Sequence, residues 1–192
     1  MLGKLALIVG HYPGQPGALA LPPISQHEFD YNKGFAQLIA SYSSSYDILC
    51  QIFKRIPDID SAYYKANSFI GLDPGCIIEL HFNAGPSQAR GSETLYIDKI
   101  PESKRLSVLV QGSICIALKR LGKLNRGTRQ LINGDRGYMN LTKAKHPACL
   151  IEPFFGSNTE DCVLALEAQD DLAEAICISA KLYLKDDSCV PA

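Results

Sequence analysis

No stretch of this chain limits its fold more than Cys76-Ile-Ile-Glu-Leu-His-Phe-Asn-Ala84. It reads as a short, almost wholly apolar strand that ends in a histidine and an asparagine. A strand with no polar face must be covered on both sides, as in the parallel sheets of α/β proteins. Such a sheet lines up the carboxyl ends of its strands along one edge, where ligands bind. The stretch therefore predicts an architecture and also a place to look for chemistry.

The rest of the chain supplies the other layers. Residues 4–9 form a short apolar strand, followed by Gly10-His11 and a loop rich in proline and glycine. Ser25-Gln-His-Glu28 has the form of a capping box. Tyr31, Phe35, Leu38, Ile39 and Tyr42 behind it recur at helical spacing, which predicts a helix over about 26–43. A strand is expected over 46–53, a helix over 59–70, a turn at Leu72-Asp-Pro-Gly75, and a further strand over 93–97. Leu106, Leu109, Val110, Ile114, Ala117, Leu118 and Leu121 make one apolar stripe, with Gly122 as its stop. Residues 123–145 are polar and glycine-rich and show no clear period. Ala148-Cys-Leu-Ile151 reads as a short buried strand ending in Glu152, and helices near 158–168 and 170–184 close the chain. Strands alternating with helices predict an α/β fold: a single domain over 1–192, with a twisted, mostly parallel sheet and helices on both faces.

Composition narrows the function classes. The formal net charge is −1 and no basic run stands out, so no nucleic-acid or acidic-membrane partner is expected. No segment is long enough to span a bilayer. The apolar run Leu5-Ala-Leu-Ile-Val9 is too short for a signal peptide and is interrupted by His11, Pro13 and Gly14. A chain made in the cytoplasm without a signal peptide, and monomeric, is the expectation. The seven cysteines are odd in number, widely spaced and free of any C-x-x-C. They predict reduced, buried thiols rather than a disulfide framework or a thiolate zinc site.

Four polar residues fall at the same sheet edge. The first strand ends in His11, the central strand in His81, and the strand at 148–151 in Glu152; Glu28 sits in the first turn of the helix after strand one. Two histidines and one glutamate are a catalytic zinc set with a fourth position left for water. Glu152 would then be the free carboxylate that takes a proton from that water. Each residue also fits an ordinary role: His11 as a loop histidine, Glu28 as a helix cap, His81 as a hydrogen-bonded strand end, Glu152 as the partner of an arginine. The case rests on their convergence. His27 is an alternative ligand to its neighbour Glu28, and His146, before Pro147, reads as surface or rim. Glu79 shares a strand face with His81 and could orient it, since ligating histidines donate their other N–H to a carboxylate or carbonyl. An internal partner of a lysine or arginine is the alternative for Glu79.

These residues carry a resemblance. Gly10-His11, Glu28 with Asn32, Ala66-Asn67, His81-Phe-Asn-Ala84, Gly91-Ser-Glu-Thr-Leu-Tyr96 and Pro147-Ala-Cys-Leu-Ile-Glu152 with Phe155 and Ser157-Asn158 stand in that order. The ordered set, spread over about 5–184, resembles the catalytic domain of zinc-dependent N-acetylmuramoyl-L-alanine amidases. These are the cell-wall amidases of bacteria and their phages. The resemblance implies that His11, Glu28 and His81 hold Zn2+ and that Glu152 is the general base. The substrate it implies is peptidoglycan or a muropeptide, cut between the lactyl group of N-acetylmuramic acid and L-alanine. Asn83 and Arg90 lie near the site in sequence and are candidate substrate contacts, with plain loop contacts as the alternative. The chain departs from the family at Tyr12-Pro13-Gly14, where glycines usually follow the histidine. It also departs at Glu79, where a small residue is more usual, and at Pro153-Phe154. These changes surround the site and bear on pocket shape and substrate preference.

Two other readings compete. The same ligand set could serve a zinc amidohydrolase or carboxypeptidase on another small peptide. The fold could also be a wall-binding module without catalysis. For location, a phage or prophage endolysin released through a membrane lesion is expected. A cytosolic recycling enzyme and an exported enzyme are the alternatives.

Overall fold

A computed structural model describes residues 2–56 and 58–185 of the chain. Its strands are β1 (Gly3–Val9), β2 (Ile48–Lys54), β3 (Gly75–Leu80), β4 (Ser92–Tyr96), β5 (Asn125–Gln130) and β6 (Ala148–Glu152). They form one sheet in the order β2-β1-β3-β6-β4-β5. The helices are α1 (Glu28–Ser43), α2 (Ile59–Ile70), α3 (Glu102–Ala117), α4 (Tyr138–Leu141), α5 (Thr159–Glu167) and α6 (Gln169–Lys185). β2, β1, β3 and β6 run parallel. β4 pairs antiparallel with β6 and parallel with β5, so the last two strands run against the rest.

Side-chain alternation sorts the sheet into two cores. Leu5, Leu7, Ile78 and Leu80 pack on one face against α1, α3, α5 and α6. Ala6, Ile8 and Ile77 pack on the other with Ala62, Tyr63 and Ile70 of α2 and Leu141 of α4. Every residue of β3 is buried, as an apolar central strand requires. Each fully buried aliphatic side chain contributes about 1.5–3 kcal/mol, so the two cores together fix where the strands end.

Three details differ from the sequence reading. Ser25 does not cap α1: it is exposed with φ 51°, and the cap position is His27 with no side-chain bond. A capping box needs its glutamate one turn inside the helix. Here Glu28 is the first helical residue, its N–H bonds Ala18 O at 2.9 Å, and its carboxylate turns to the sheet edge. α3 stops at Ala117 rather than at Gly122. Lys119, with φ 49°, turns the chain so that buried Arg120 meets Asp161 at 2.9 Å, and Leu121 is left exposed. Finally, the stretch 123–145 contains β5 and α4. β5 reads Asn-Arg-Gly-Thr-Arg-Gln, an edge strand with no apolar alternation, and only its ladder to β4 defines it.

The thiol reading holds for the described residues: Cys50, Cys76, Cys115, Cys149, Cys162 and Cys177 are free, and all but Cys50 are buried. Cys189 and Met1 lie outside the described residues. No helix among the described residues is long and apolar enough to cross a membrane.

Candidate active site

The site is assembled where β1, β3 and β6 end. Gly10 follows β1 and donates its N–H to Leu80 O at 3.0 Å. A Cβ on Gly10 would stand 2.5 Å from the His81 ring, so only glycine lets the two strand ends approach. His11 then takes φ 62°, a conformation rare for a residue with a side chain and found mostly where a site imposes it. Gly17, with φ 81°, brings the loop against both His11 and Glu28, where a Cβ would meet Glu28 Oε2 at 2.8 Å.

Glu28 joins the two histidines. Its Oε2 lies 3.1 Å from His11 Nε2 and its Oε1 lies 2.7 Å from His81 Nδ1. Phe82 N–H donates to Oε1 at 3.1 Å. The two imidazoles meet edge to face with centroids 5.0 Å apart. One donor atom from each of His11, Glu28 and His81 falls within 4.8 Å of the others. Three donors this close together could hold a divalent ion and leave a further position for water. The donor types, two imidazoles and a carboxylate, suit zinc.

Behind His81 stands Glu79, wholly buried. Its Oε1 lies 3.1 Å from His81 Nε2 and accepts from Asn140 Nδ2 at 2.9 Å, and its Oε2 accepts from Tyr63 OH at 2.8 Å. Arg55 approaches it at 3.9 Å. Both ring nitrogens of His81 therefore face carboxylates. Burial alone would strip the charge from His81, but hydrogen bonds to Glu28 and Glu79 outweigh it and raise its pKa to about 10. Burial likewise opposes ionisation of Glu28, yet the hydrogen bonds from His11 and His81 bring it down to about 2.

Glu152, at the end of β6, looks into the same cavity. Its Oε2 is buried and has no hydrogen-bond partner among the described residues. Burial, helped by the charges of Glu28 and Glu93 and opposed by His81 and Arg136, raises its carboxyl to about 8. A carboxyl group with an unpartnered oxygen beside a possible metal triad is an arrangement suited to moving a proton.

The remaining candidates separate. Asn83 lines the cavity and donates to Glu93 Oε1 at 2.5 Å. Arg90 does not line it and is held by Glu160 and by Asp161 at 3.4 Å. His27 stays outside the triad, with its Nδ1 3.2 Å from Gly17 O. His146 precedes the start of β6, at the edge of the sheet opposite the site. Sequence reasoning missed Glu93 and the arginines Arg55, Arg126, Arg129 and Arg136, all of which line the cavity. Glu93 was visible within Gly91-Ser-Glu-Thr94, but the reversal of β4 brings the start of that strand, not its end, opposite Glu152. No periodic pattern signals the arginines: Arg126, Arg129 and Arg136 lie in β5 and its following loop, which carry none, and Arg55 lies just past β2.

A two-faced α/β sheet that gathers a possible metal triad and a carboxyl group with an unpartnered oxygen at one strand edge has the makeup of a hydrolase site. The relatives are consistent with this. The profile of the N-acetylmuramoyl-L-alanine amidase family matches residues 5–181, and the chain belongs to that family. An N-acetylmuramoyl-L-alanine amidase from Clostridium difficile 630 superposes with a TM-score of 0.78 at 25% identity, over 97% of this chain and 100% of the other. The catalytic domain of the CD27L endolysin targeting Clostridia difficile gives 0.72 at 25% identity, over 92% and 96% of the two chains. The catalytic domain of CwlV from Bacillus (Paenibacillus) polymyxa, at 19% identity, shares the fold over 94% and 98% with a TM-score of 0.75. No curated protein matches the chain in sequence.

Proposed function

We propose that the chain, as one catalytic unit, hydrolyses the amide between the lactyl group of N-acetylmuramic acid and the L-alanine of the stem peptide. His11, Glu28 and His81 hold the zinc ion and Glu152 serves as general base. The observation that carries this reading is the meeting of the triad with the unpartnered Oε2 of Glu152 in a single cavity of about 870 Å³. A bound zinc ion supplies Lewis acidity at the scissile carbonyl and makes water acidic near neutral pH.

The protein's own groups do the rest. Glu152 takes the proton of the attacking water and returns it to the departing L-alanine nitrogen. Its buried, high-pKa carboxyl is ionised more easily once a cation is close, because an opposite charge favours the charged form. Glu79 accepts from His81 Nε2 and so leaves Nδ1 to face the ion. Asn83, on the cavity wall, is placed to hold substrate polar groups. The wall polymer lies outside the cell membrane, and release through a lesion of the phage lysis type fits a chain that resembles an endolysin catalytic domain. A monomer is sufficient, since every residue invoked comes from one chain.

Glu152→Gln tests the reading. It should keep about one zinc per chain and lose hydrolysis of isolated peptidoglycan by roughly 10²–10⁴-fold. Normal wall clearance by that variant would end the assignment of Glu152.

A further inference from the structure

The Oε2 of Glu152 has no hydrogen-bond partner among the described residues, so its carboxyl stands where the backbone of β6 puts it. That backbone is paired with β4 through Leu95 and Leu150, Thr94 and Ile151, and Glu93 and Glu152, and the ladder ends at this last pair. Ser92 Oγ then donates to Pro153 O at 2.5 Å, and past that point a single side chain takes over from the backbone. Asp161, in the first turn of α5, is wholly buried. Its Oδ2 accepts from the N–H groups of Gly91 and Phe155, each at 3.0 Å. Its Oδ1 meets Arg120 at 2.9 Å and Arg90 at 3.4 Å. An acid in the first turn of a helix ordinarily serves that helix. Here its oxygens go to the two segments that lead away from the Glu93–Glu152 pair. Gly91 is fitted to this clamp, with φ 110° and no room for a Cβ, which would stand 2.5 Å from Leu124 O. The buried guanidinium of Arg120 balances the charge, without which a carboxylate this deep is costly.

We propose that Asp161 is a positioning residue for the general base: backed by Arg120, it locks the end of the β4–β6 pair and so fixes where Glu152 stands relative to His11, Glu28 and His81. The inference rests on the amidase reading and deepens it. Asp161 is not among the residues that line the cavity, and its own contacts are with Gly91, Phe155, Asn158, Arg90 and Arg120 rather than with the triad. Its loss therefore acts on turnover and leaves substrate binding and zinc content in place. Charge-assisted bonds to two backbone N–H groups are strong enough for the task, and each of the two segments they hold lies within three residues of Glu93 or Glu152.

The test compares wild type with Asp161→Asn, each as the zinc-supplemented full chain, on solubilised peptidoglycan. Bound zinc is measured on the same samples and rates are expressed per folded molecule. A reacting group displaced by about 1 Å loses on the order of 10²-fold in rate, so kcat of Asp161→Asn should fall by about that factor while KM stays within about threefold and zinc stays near one per chain. In a Glu152→Gln background the same substitution should cost nothing more, because a residue acting through Glu152 has nothing left to position. Where Asp161→Asn does not fold, Ser92→Ala carries the test: it loosens the same strand end without unpairing Arg120, and kcat should fall by about 10-fold. An unchanged kcat in Asp161→Asn, or in Ser92→Ala where only that variant folds, overturns the proposal. So does a rise in KM alone, a loss of zinc in step with activity, or a further loss in the Glu152→Gln background. A wild type that binds zinc and leaves peptidoglycan uncut ends the amidase reading itself, and the positioning role falls with it.

Discussion

At the scale of single residues, Glu79 carries the clearest consequence. It is buried without exposure and holds Tyr63, Asn140 and His81 together. Replacing it by alanine removes the acceptor that fixes the His81 ring and leaves buried donors unmade. Groups that orient a ligating histidine typically account for about 10–100-fold in metal affinity. Zinc affinity of Glu79→Ala, measured by competition with a chromophoric chelator, should fall by that factor, with Glu79→Gln intermediate. An unchanged affinity would reduce Glu79 to a packing residue. Glu79 also marks what the sequence could and could not reveal. Its place two residues before His81 was enough to suggest contact. Its other partners come from α2 and from α4 in the unpatterned 123–145 stretch, which no local signal could join to it.

At the scale of elements, the legible ones were those whose sequence repeats. α2 was expected over 59–70 and spans Ile59–Ile70, whereas β3, an apolar run expected to end in His81 and Asn83, stops at Leu80. α1 and α3 were read correctly as helices, but each has one end set by a tertiary contact. Glu28 is drawn to the histidines rather than into a cap, and Arg120 is drawn to Asp161. β5 was invisible because an edge strand needs no apolar face. The early stop of α3 places exposed Lys119 at φ 49°, a conformation that glycine adopts without penalty. Lys119→Gly should therefore stabilise the fold by about 0.5–1 kcal/mol, less the added entropy of the unfolded chain. Urea denaturation with an unchanged m-value would register the gain, and a loss of stability would show that the turn is not strained.

For the whole molecule, the cluster makes stability depend on pH. Glu152 has its folded pKa raised to about 8 from the ordinary carboxyl value of 4.5. Between those two values the folded state holds a proton that the unfolded state has released, so stability falls as pH rises from about 5 to 8. His81, raised to about 10, gives a further decline from about 6.5 upward, and Glu28, lowered to about 2, acts only below about 4.5. Thermal melting of chelator-treated protein across pH 5–8 should show the decline, and Glu152→Gln should remove the part that belongs to Glu152. If wild type and Glu152→Gln lose stability in parallel over that range, the carboxyl is not held protonated in the fold.

The unequal dressing of the sheet has a further outcome. Among the described residues four helices blanket one face, whereas the other carries only α2 and the single turn of α4, and the cavity reaches onto that side at Leu95 and Leu150. A branched, cross-linked fabric cannot be threaded through a tunnel from a loose end. A reaction centre laid against a sparsely roofed flank can be pressed onto such a mesh anywhere along a strand, so severing could begin in the middle of intact netting and need no pre-existing break.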